Sequence, residues 1–287
     1  KVADVLRDER SDIESVLEML ELEHVIDRKL KELSGGELQR VAIASCLLRE
    51  ADFYLFDEPS SFLDVKQRLI VAKAIRYLVE KENKSVMVVE HDLATLDFMA
   101  DYIHIFYGVP QVYGVVSNIY SVRRGINNYL EGYIREENVR FRDEPLSFEP
   151  TATIESEGNV VIEYTRLEKT LGSFKLTVEK GKLHEKNIVA VMGANALGKT
   201  TFAKMLAGIL EPDEGQIDAH VKISYKPQYI ESVNNDQTVK DALISISTAA
   251  LSSTFKKKVL QPLEIADLMD RKLKELSGGE LQRVAIA

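Results

Sequence analysis

The sequence predicts an α/β fold in which parallel strands carry polar residues at their carboxyl ends, and three observations support this prediction. Two short apolar runs end in acidic or histidine residues, FYLFDEP at Phe53–Pro59 and SVMVVEHD at Ser85–Asp92. A third apolar run leads into a glycine-rich stretch, GANALGKT, at Gly193–Thr200. The passage DRKLKELSGGELQRVAIA occurs twice, at Asp27–Ala44 and Asp270–Ala287, which indicates equivalent points in two homologous domains.

Length and composition set limits on the class of protein. A chain of 287 residues with 45% hydrophobic residues is long enough for about two packed domains. The only cysteine, Cys46, excludes an internal disulfide or a cysteine-ligated cluster within this chain, and we expect it to be a small buried helix residue. No apolar run approaches the ~20 residues that cross a bilayer, and the first residues are not a signal peptide. We therefore expect a cytoplasmic protein.

Each repeated passage contains a helix start. Ser34 and Glu37 have the spacing of a capping box, and Gly35 and Gly36 leave no Cβ in front of the exposed N–H groups. The following residues predict a helix whose apolar face is made by Leu38, Val41, Ala42 and Ser45. Such a helix end suits a phosphate, although a capping box alone is more often structural.

Polar residues follow the first two apolar runs. Both runs predict buried parallel strands, so Asp57, Glu58 and His91 fall at the sheet edge where sites of open α/β sheets lie. Asp57 could hold Mg²⁺ through water, and Glu58 could polarise an attacking water. A histidine in such a position is structural more often than functional unless the other parts accompany it.

The glycine-rich stretch has the pattern of a phosphate-binding P-loop. Ile188–Met192 predicts the strand before it, and TFAKMLAGI the helix after it. Backbone N–H groups would hold the β-phosphate, Lys199 would reach the β and γ oxygens, and the Thr200 hydroxyl would bind Mg²⁺. Farther on, the sequence EPDEGQI predicts a turn into a strand, and ISYKPQY predicts a strand that ends at Gln228, where it could sense metal or water near the γ-phosphate.

With these motifs in order, the chain resembles the ABC ATPases, a family of P-loop NTPases. LSGGE at Leu33–Glu37 and Leu276–Glu280 is similar to the family's signature loop, and YLFDEP to its Walker B strand with catalytic Glu58. SSFLD at Ser60–Asp64 is similar to the D-loop, while His91 and Gln228 match the switch histidine and the Q-loop.

The resemblance extends to the E subfamily, the ribosome-recycling ATPases first described as RNase L inhibitors, and more to its archaeal form. GINNYLEGYIREENVRFR is similar to the hinge of that subfamily, which ordinary transporter ATPases lack. The resemblance implies tandem nucleotide-binding domains, each incomplete here: the rear of the first at 1–120, the hinge or linker at 121–154 and the front of the second at 155–287. We expect a central part of a longer protein, whose iron–sulfur clusters would belong to a missing N-terminal domain.

The family arrangement implies head-to-tail sites that hold ATP and Mg²⁺. ATP on Lys199 would be closed off by the signature loop of the first domain, and Glu58 and His91 would serve the opposite site. The residues implied to contact nucleotide are Gly193, Asn195, Gly198, Lys199, Thr200, Thr201, Gln228, Ser34, Gly35, Gly36, Glu37, Ser277, Gly278 and Gly279, with Thr200, Gln228 and Asp57 at the metal. Phe174 could stack on adenine or could equally be a strand core residue.

The P-loop departs from the family pattern at Ala194 and Ala196, where proline and glycine would be expected. A positive φ at Ala196 would be strained.

The function implied by the resemblance is an ATP-driven clamp that splits ribosomes into subunits, with the small ribosomal subunit, ribosomal RNA and release-factor-like proteins as partners and no membrane. The alternatives are the ATPase subunit of a membrane transporter, or another tandem-domain ATPase of translation or DNA repair. The strip Arg123, Arg124, Arg135, Arg140 and Arg142 could meet phosphate, or could be a solvated face. We expect weak turnover from these residues alone, because each composite site lacks one catalytic part.

Overall fold

The computed structural model describes residues 1–6, 13–109, 112–147, 158–228 and 236–287. The chain divides into two compact units. Unit 1 comprises 1–158 and 186–199, and unit 2 comprises 159–185 and 200–287. The P-loop up to Lys199 therefore belongs to unit 1, although the helix that it opens continues in unit 2.

Unit 1 contains a two-stranded parallel sheet. Its strands are β1 (Phe53–Asp57) and β2 (Ser85–Val89), paired in register from Phe53 opposite Ser85 to Asp57 opposite Val89. The parallel pairing and both strand ends agree with the sequence prediction. The prediction that both strands are buried is wrong, however. Only Tyr54 and Phe56 of β1 are buried, Phe53 and Leu55 are exposed on the other face, and no residue of β2 is fully buried.

Five helices pack with this sheet: α1 (Val2–Val5), α2 (Ile13–Met19), α3 (Gly35–Leu47), α4 (Val65–Glu80) and α5 (Leu93–Met99). Asp64 caps the N-terminus of α4, and Asp92 caps that of α5. Together these elements bury one apolar core that includes Leu20, Ile75 and Leu78. The core therefore anchors the segments that follow β1 and β2.

The buried face of α3 differs from the predicted one. Leu38 and Ala42 are exposed, while Arg40, Ile43, Ala44 and Leu47 are buried with Val41. The reason is the Arg40 guanidinium, which donates to the carbonyl oxygens of Leu20 at 2.7 Å and Glu21 at 3.2 Å. These bonds give Arg40 Nη1 two backbone acceptors, while Arg40 Nε is buried without a hydrogen-bond partner among the described residues. Cys46, predicted to be buried, is half-buried on α3, and burial raises the pKa of its thiol.

The predicted hinge residues form regular structure as far as Arg140. An antiparallel hairpin of β3 (Tyr102–Val109) and β4 (Tyr113–Ser121) leads into α6 (Val122–Glu131). A short hairpin of β5 (Tyr133–Ile134) and β6 (Val139–Arg140) follows. Ile134 is fully buried in a small core with Ile105 and Tyr120, so the second hairpin packs on the first. The rest of the predicted linker from 148 onward lies outside the described residues.

Two glutamates in the turn of the β5–β6 hairpin hold this part together. Glu137 accepts hydrogen bonds from the backbone N–H of Asn118 at 2.7 Å and from the Tyr120 hydroxyl at 2.5 Å. Burial, together with the Glu137 carboxylate, raises the pKa of Tyr120 to about 12. Glu136 accepts from Asn128 at 3.1 Å and pairs with Arg124. The turn is therefore bonded to both β4 and α6.

We expect Glu137→Ala to lower the free energy of unfolding by about 1–3 kcal/mol, because the hydroxyl of the buried Tyr120 and the Asn118 N–H both lose their acceptor. The same variant should speed hydrogen exchange at the Asn118 amide. Glu131→Ala is the matched control, since Glu131 makes an exposed pair with Arg135 at 3.0 Å and should cost no more than about 0.5 kcal/mol. Equal losses from the two variants would contradict the structural role of Glu137.

Unit 2 contains antiparallel strands and short helices. Strand β7 (Val160–Tyr164) lies between β10 (Gly181–His184) and β11 (Ile217–Ala219), and β8 (Leu167–Leu171) pairs with β9 (Phe174–Val178). The helices are α7 (Lys199–Leu206), α8 (Val239–Ile246), α9 (Ser253–Phe255), which continues into a π-helical turn, and α10 (Gly278–Ile286). Val239, Leu243 and Ile265 form the core around α8 and α10.

Two predicted strands of the second half are absent from the described structure. Ile188–Met192 and 223–228 have no strand assignment, and only the strand β11 after EPDEGQI is formed as predicted. Ile188 is 100% exposed and Met192 is 88% exposed. A parallel strand forms only where neighbouring strands accept its ladder hydrogen bonds, and no strand among the described residues pairs with these segments.

Candidate nucleotide-binding site

The P-loop is a tight turn with three left-handed residues. The φ angles are 148° at Gly193, 62° at Ala196 and 85° at Gly198. Glycine takes such angles freely, but for Ala196 the left-handed conformation costs about 1–2 kcal/mol. The positive φ at Ala196 therefore means that the P-loop backbone is strained at this residue. The turn ends where α7 begins at Lys199.

The Lys199 ammonium lies over its own loop. It donates to the carbonyl oxygens of Gly193 at 2.7 Å and Ala194 at 2.5 Å. An ammonium group beside the free backbone N–H groups of a helix N-terminus can donate, together with them, to the oxygens of a phosphate. Thr200 is exposed and Thr201 is half-buried at the start of α7, so the Thr200 hydroxyl is accessible to a cation such as Mg²⁺.

A side chain of the P-loop joins it to the D-loop. The Asn195 backbone N–H donates to Asp64 Oδ2 at 3.0 Å, and its side-chain amide donates to the Phe62 carbonyl at 3.0 Å. Asp64 Oδ1 meanwhile accepts from the Gln67 N–H at 3.0 Å. Burial alone would raise the pKa of Asp64, but these N–H donors and the nearby Lys199 charge hold it below its usual value.

The first signature loop lies beside this contact. A Cβ added to Gly36 would come within 2.9 Å of Gln67 Oε1, 3.3 Å of the Phe62 carbonyl and 3.5 Å of Asn195 Nδ2. The missing Cβ at Gly36 therefore makes room for the D-loop and the P-loop asparagine. Unit 1 thus contains the P-loop of the second half next to the signature loop of the first half.

The predicted capping box of this signature loop is confirmed. Ser34 Oγ accepts from the Glu37 N–H, and Glu37 Oε2 accepts from the Ser34 N–H at 2.8 Å. Glu37 Oε1 also meets Arg28 at 3.2 Å and His24 Nε2 at 3.4 Å. Burial would raise the pKa of Glu37, but the Ser34 hydrogen bonds and the two basic side chains lower it.

The second signature loop repeats the capping box in unit 2. Ser277 caps α10, and Glu280 Oε2 accepts from the Ser277 N–H at 2.7 Å. That backbone hydrogen bond is the main reason that the pKa of Glu280 is lowered. Apart from the adjacent residues and the backbone of α10 itself, no heavy atom of the described residues lies within 4 Å of a Cβ built on Gly278 or Gly279. The two identical loops thus differ in what faces their glycines.

Glu58 and His91 meet at the carboxyl ends of β1 and β2. His91 Nε2 lies 3.0 Å from Glu58 Oε1, and the Ser61 hydroxyl donates to Glu58 Oε2 at 3.0 Å. The Glu58 backbone has a positive φ of 47°, and its N–H donates to the Val89 carbonyl at 2.9 Å. Asp57 is exposed at the end of β1. This pair could polarise a water molecule, with the imidazole holding the carboxylate.

The remaining predicted site residues lie in unit 2. Gln228 is exposed, and its backbone carbonyl accepts from Gln282 Nε2 at 3.1 Å. Phe174 is half-buried at the start of β9, opposite Leu171.

Sequence reasoning missed several polar contacts around Glu58. Gln39 of α3 donates to the Glu58 carbonyl at 3.1 Å, and Ser60 donates to Glu90. The repeat held a signal for the first of these contacts, because Gln39 recurs as Gln282. The copies bond different partners, however, and this difference cannot be read from identical letters.

Comparisons with known proteins identify the family. The chain matches the family described as ABC transporter over residues 2–61 and 176–287. The chain belongs to the ABC ATPases, and within them to the E family. An uncharacterized ABC transporter ATP-binding protein of Methanocaldococcus jannaschii is 52% identical over 100% of this chain and 48% of its own length.

Solved structures show the same relation. An archaeal ribosome recycling factor in complex with a ribosomal stalk protein is 51% identical, with a TM-score of 0.88 over 100% of this chain and 56% of that chain. A structure of ribosome-bound archaeal Pelota and ABCE1 is 51% identical, with a TM-score of 0.91 over 100% of this chain and 49% of that one. The chain spans about half the length of the curated relatives that it matches.

Membership of this family implies ATP and Mg²⁺ as ligands. The described residues contain no helix with the length and apolar character that would cross a bilayer. In the ABC ATPases a nucleotide lies between a P-loop and a signature loop, and the contact of Asn195 with the D-loop beside Gly36 agrees with that arrangement.

Proposed function

We propose that the protein is an ATP-binding and ATP-hydrolysing clamp that splits ribosomes into subunits. Lys199 and the amides at the start of α7 hold the nucleotide phosphates, and Thr200 holds Mg²⁺. Gln228 senses the metal or water near the γ-phosphate. Ser34, Gly35 and Gly36 close over the γ-phosphate. At the opposite composite site, Glu58 directs water and His91 orients Glu58. The bound Mg²⁺ supplies charge neutralisation at the phosphates.

The observation that carries the ATP proposal is the position of Asn195. It lies in the P-loop, and it bonds the D-loop at 3.0 Å next to the signature Gly36. A nucleotide bound by Lys199 would therefore lie next to the first signature loop, which is already beside the P-loop. The backbone amides at the start of α3 add positive potential at this signature loop, because Ser34 is the N-cap of that helix.

The ribosomal part of the proposal rests on the relatives. The archaeal ribosome recycling factor and the ribosome-bound ABCE1 each resemble the whole of this chain, at TM-scores of 0.88 and 0.91. From these proteins we propose the small ribosomal subunit and its RNA as partners, and release-factor-like proteins of the Pelota kind as further partners. We also propose a cytoplasmic location.

Co-sedimentation tests this proposal. The full-length protein containing these residues should pellet with small ribosomal subunits in the presence of a non-hydrolysable ATP analogue, and much less without nucleotide. Lys199→Ala should abolish the nucleotide dependence. Binding that ignores the nucleotide would contradict a clamp driven by ATP.

The runner-up function is the ATPase subunit of a membrane transporter, which the description of the matched family also covers. The structured hinge part favours the ribosomal function. It places α6 and the β5–β6 hairpin directly after the β3–β4 hairpin and locks them with Glu136 and Glu137. This part of unit 1 also carries exposed arginines that suit a polyanion.

The structure separates the five hinge arginines. Arg124 pairs with Glu136, Arg135 pairs with Glu131, and Arg142 donates to backbone carbonyls including that of Leu130. Arg123 is exposed, and the guanidinium of Arg140 is exposed over the Tyr133 ring at 5.1 Å. Arg123 and Arg140 are thus the better candidates for phosphate contacts.

The variant Arg123→Ala/Arg140→Ala should weaken binding of the full-length protein to small subunits and flatten its salt dependence. Each lost phosphate contact should reduce the slope of log affinity against log salt by about 0.7–0.9. Arg124→Ala/Arg135→Ala is the control with the same charge change. If only the control flattens the slope, the assignment of Arg123 and Arg140 is wrong.

A further inference from the structure

A partly buried hydrogen bond joins the segments that follow β1 and β2. The Ser60 hydroxyl, in a residue that is only 5% exposed, donates to Glu90 Oε1. The second carboxylate oxygen, Oε2, accepts from the backbone N–H of His91 at 3.2 Å. Glu90 therefore ties the chain just before His91 to the chain just after Glu58.

The His91 side chain itself is poorly enclosed. It is 80% exposed, and its Nε2 lies 3.0 Å from Glu58 Oε1. With so little packing around the ring, the direction of the imidazole depends on the backbone that carries it. The backbone after His91 is held by Asp92, which caps α5 through the Thr95 N–H at 2.7 Å and pairs with Arg68 at 2.7 Å. The backbone before His91 is held by Glu90.

We propose that Glu90 is a positioning residue for ATP hydrolysis. It fixes the His91 backbone so that the imidazole stays against Glu58, and Ser60 fixes Glu90. This inference rests on the proposed function, in which Glu58 and His91 act in hydrolysis. Both bonds to the carboxylate are charge-assisted, and such bonds are stronger than those between neutral groups.

A carboxylate at this position accepts both hydrogen bonds with a negative charge. The amide of a glutamine can reach the same two partners, because its oxygen can accept from the His91 N–H while its NH₂ group donates to the Ser60 oxygen. Glu90→Gln therefore keeps the shape but replaces two charge-assisted bonds with weaker neutral ones. Ser60→Ala removes the hydroxyl donor and leaves both carboxylate oxygens in place.

The test measures ATP turnover by the full-length protein. Glu90→Gln and Ser60→Ala should each lower kcat about tenfold while KM for ATP stays within about twofold. The double variant should lose little more than the worse single variant, because both act through the same contact. Glu50→Gln changes an exposed glutamate in the loop between α3 and β1 and should leave kcat unchanged.

A spectroscopic measurement separates positioning from loss of fold. In the 287-residue chain with labelled histidine, Glu90→Gln should shift the imidazole resonances of His91, whereas those of His104 should stay in place. His104 is a suitable reference because its Nδ1 lies 3.0 Å from the Ser117 carbonyl in the β3–β4 hairpin.

An unchanged kcat in Glu90→Gln, or a shift of both histidines with a loss of stability that accounts for the lower rate, would overturn the inference. Failure of the proposed function gives a different result. In that case, the full-length wild-type protein would not hydrolyse ATP, or Glu58→Gln would hydrolyse it as fast as the wild type does.

Discussion

Lys199→Ala should reduce ATP affinity by about 100-fold or more, which calorimetry on the 287-residue chain would record as loss of binding. Lys199 is the charged donor at the start of α7, and its ammonium already lies on the Gly193 and Ala194 carbonyls at 2.7 and 2.5 Å. A phosphate bound in the loop would replace these neutral acceptors with charged ones. Removing the ammonium leaves the bound phosphate charge without its closest cation.

Lys204→Ala is the matched control for this prediction. Lys204 is an exposed lysine in the last turn of the same helix, so its removal changes the net charge equally. We expect its affinity for ATP to stay within about twofold of the wild type, because exposed charges far from the ligand are screened. Equal losses from both variants would show that general charge, and not the P-loop, carries the binding.

Local features of the site were predictable from the sequence because they depend on neighbouring residues. The capping boxes at Ser34 and Ser277 follow from a spacing of three residues, and the structure confirms both. The strands β1 and β2 follow from short apolar runs that end in polar residues. These predictions need no knowledge of the rest of the fold.

Contacts between distant segments could not be predicted in this way. Asn195 and Asp64 are 131 residues apart, and no local pattern relates them. The buried face of α3 is likewise set by Arg40, which finds carbonyls 19 and 20 residues away. The segment Ile188–Met192 has a strand's composition but lacks a pairing strand among the described residues. In each case a tertiary contact, or its absence, decided the result.

The repeated passage shows the same limit most clearly. Its eighteen residues are identical, yet Gln39 donates to the Glu58 carbonyl and Gln282 to the Gln228 carbonyl. Glu37 pairs with both Arg28 and His24, whereas Glu280 pairs with Arg271. The position equivalent to His24 in the second half is Asp267, which cannot form such a pair. Identical letters give identical caps, but the contacts beyond the caps depend on residues outside the repeat.

Glu58→Gln should lower the ATP turnover of the full-length protein by about 10²- to 10⁴-fold, the range over which general-base groups contribute. Glutamine keeps the shape of Glu58 and can still accept from Ser61, whose hydroxyl donates at 3.0 Å. It cannot take a proton from water, and its amide no longer offers His91 Nε2 a charged partner at 3.0 Å.

ATP affinity should change little in this variant, because Lys199 and not Glu58 holds the phosphates. The closed state should accumulate, so nucleotide-dependent co-sedimentation with small subunits should persist or strengthen while hydrolysis is lost. Glu50→Gln again serves as the control with the same change of charge. Turnover near the wild-type rate would exclude Glu58 as the group that directs water, and would transfer the role to a residue outside the β1–β2 edge. Loss of both binding and turnover would instead indicate that Glu58, with its positive φ of 47° and its bond to the Val89 carbonyl, mainly supports the local fold.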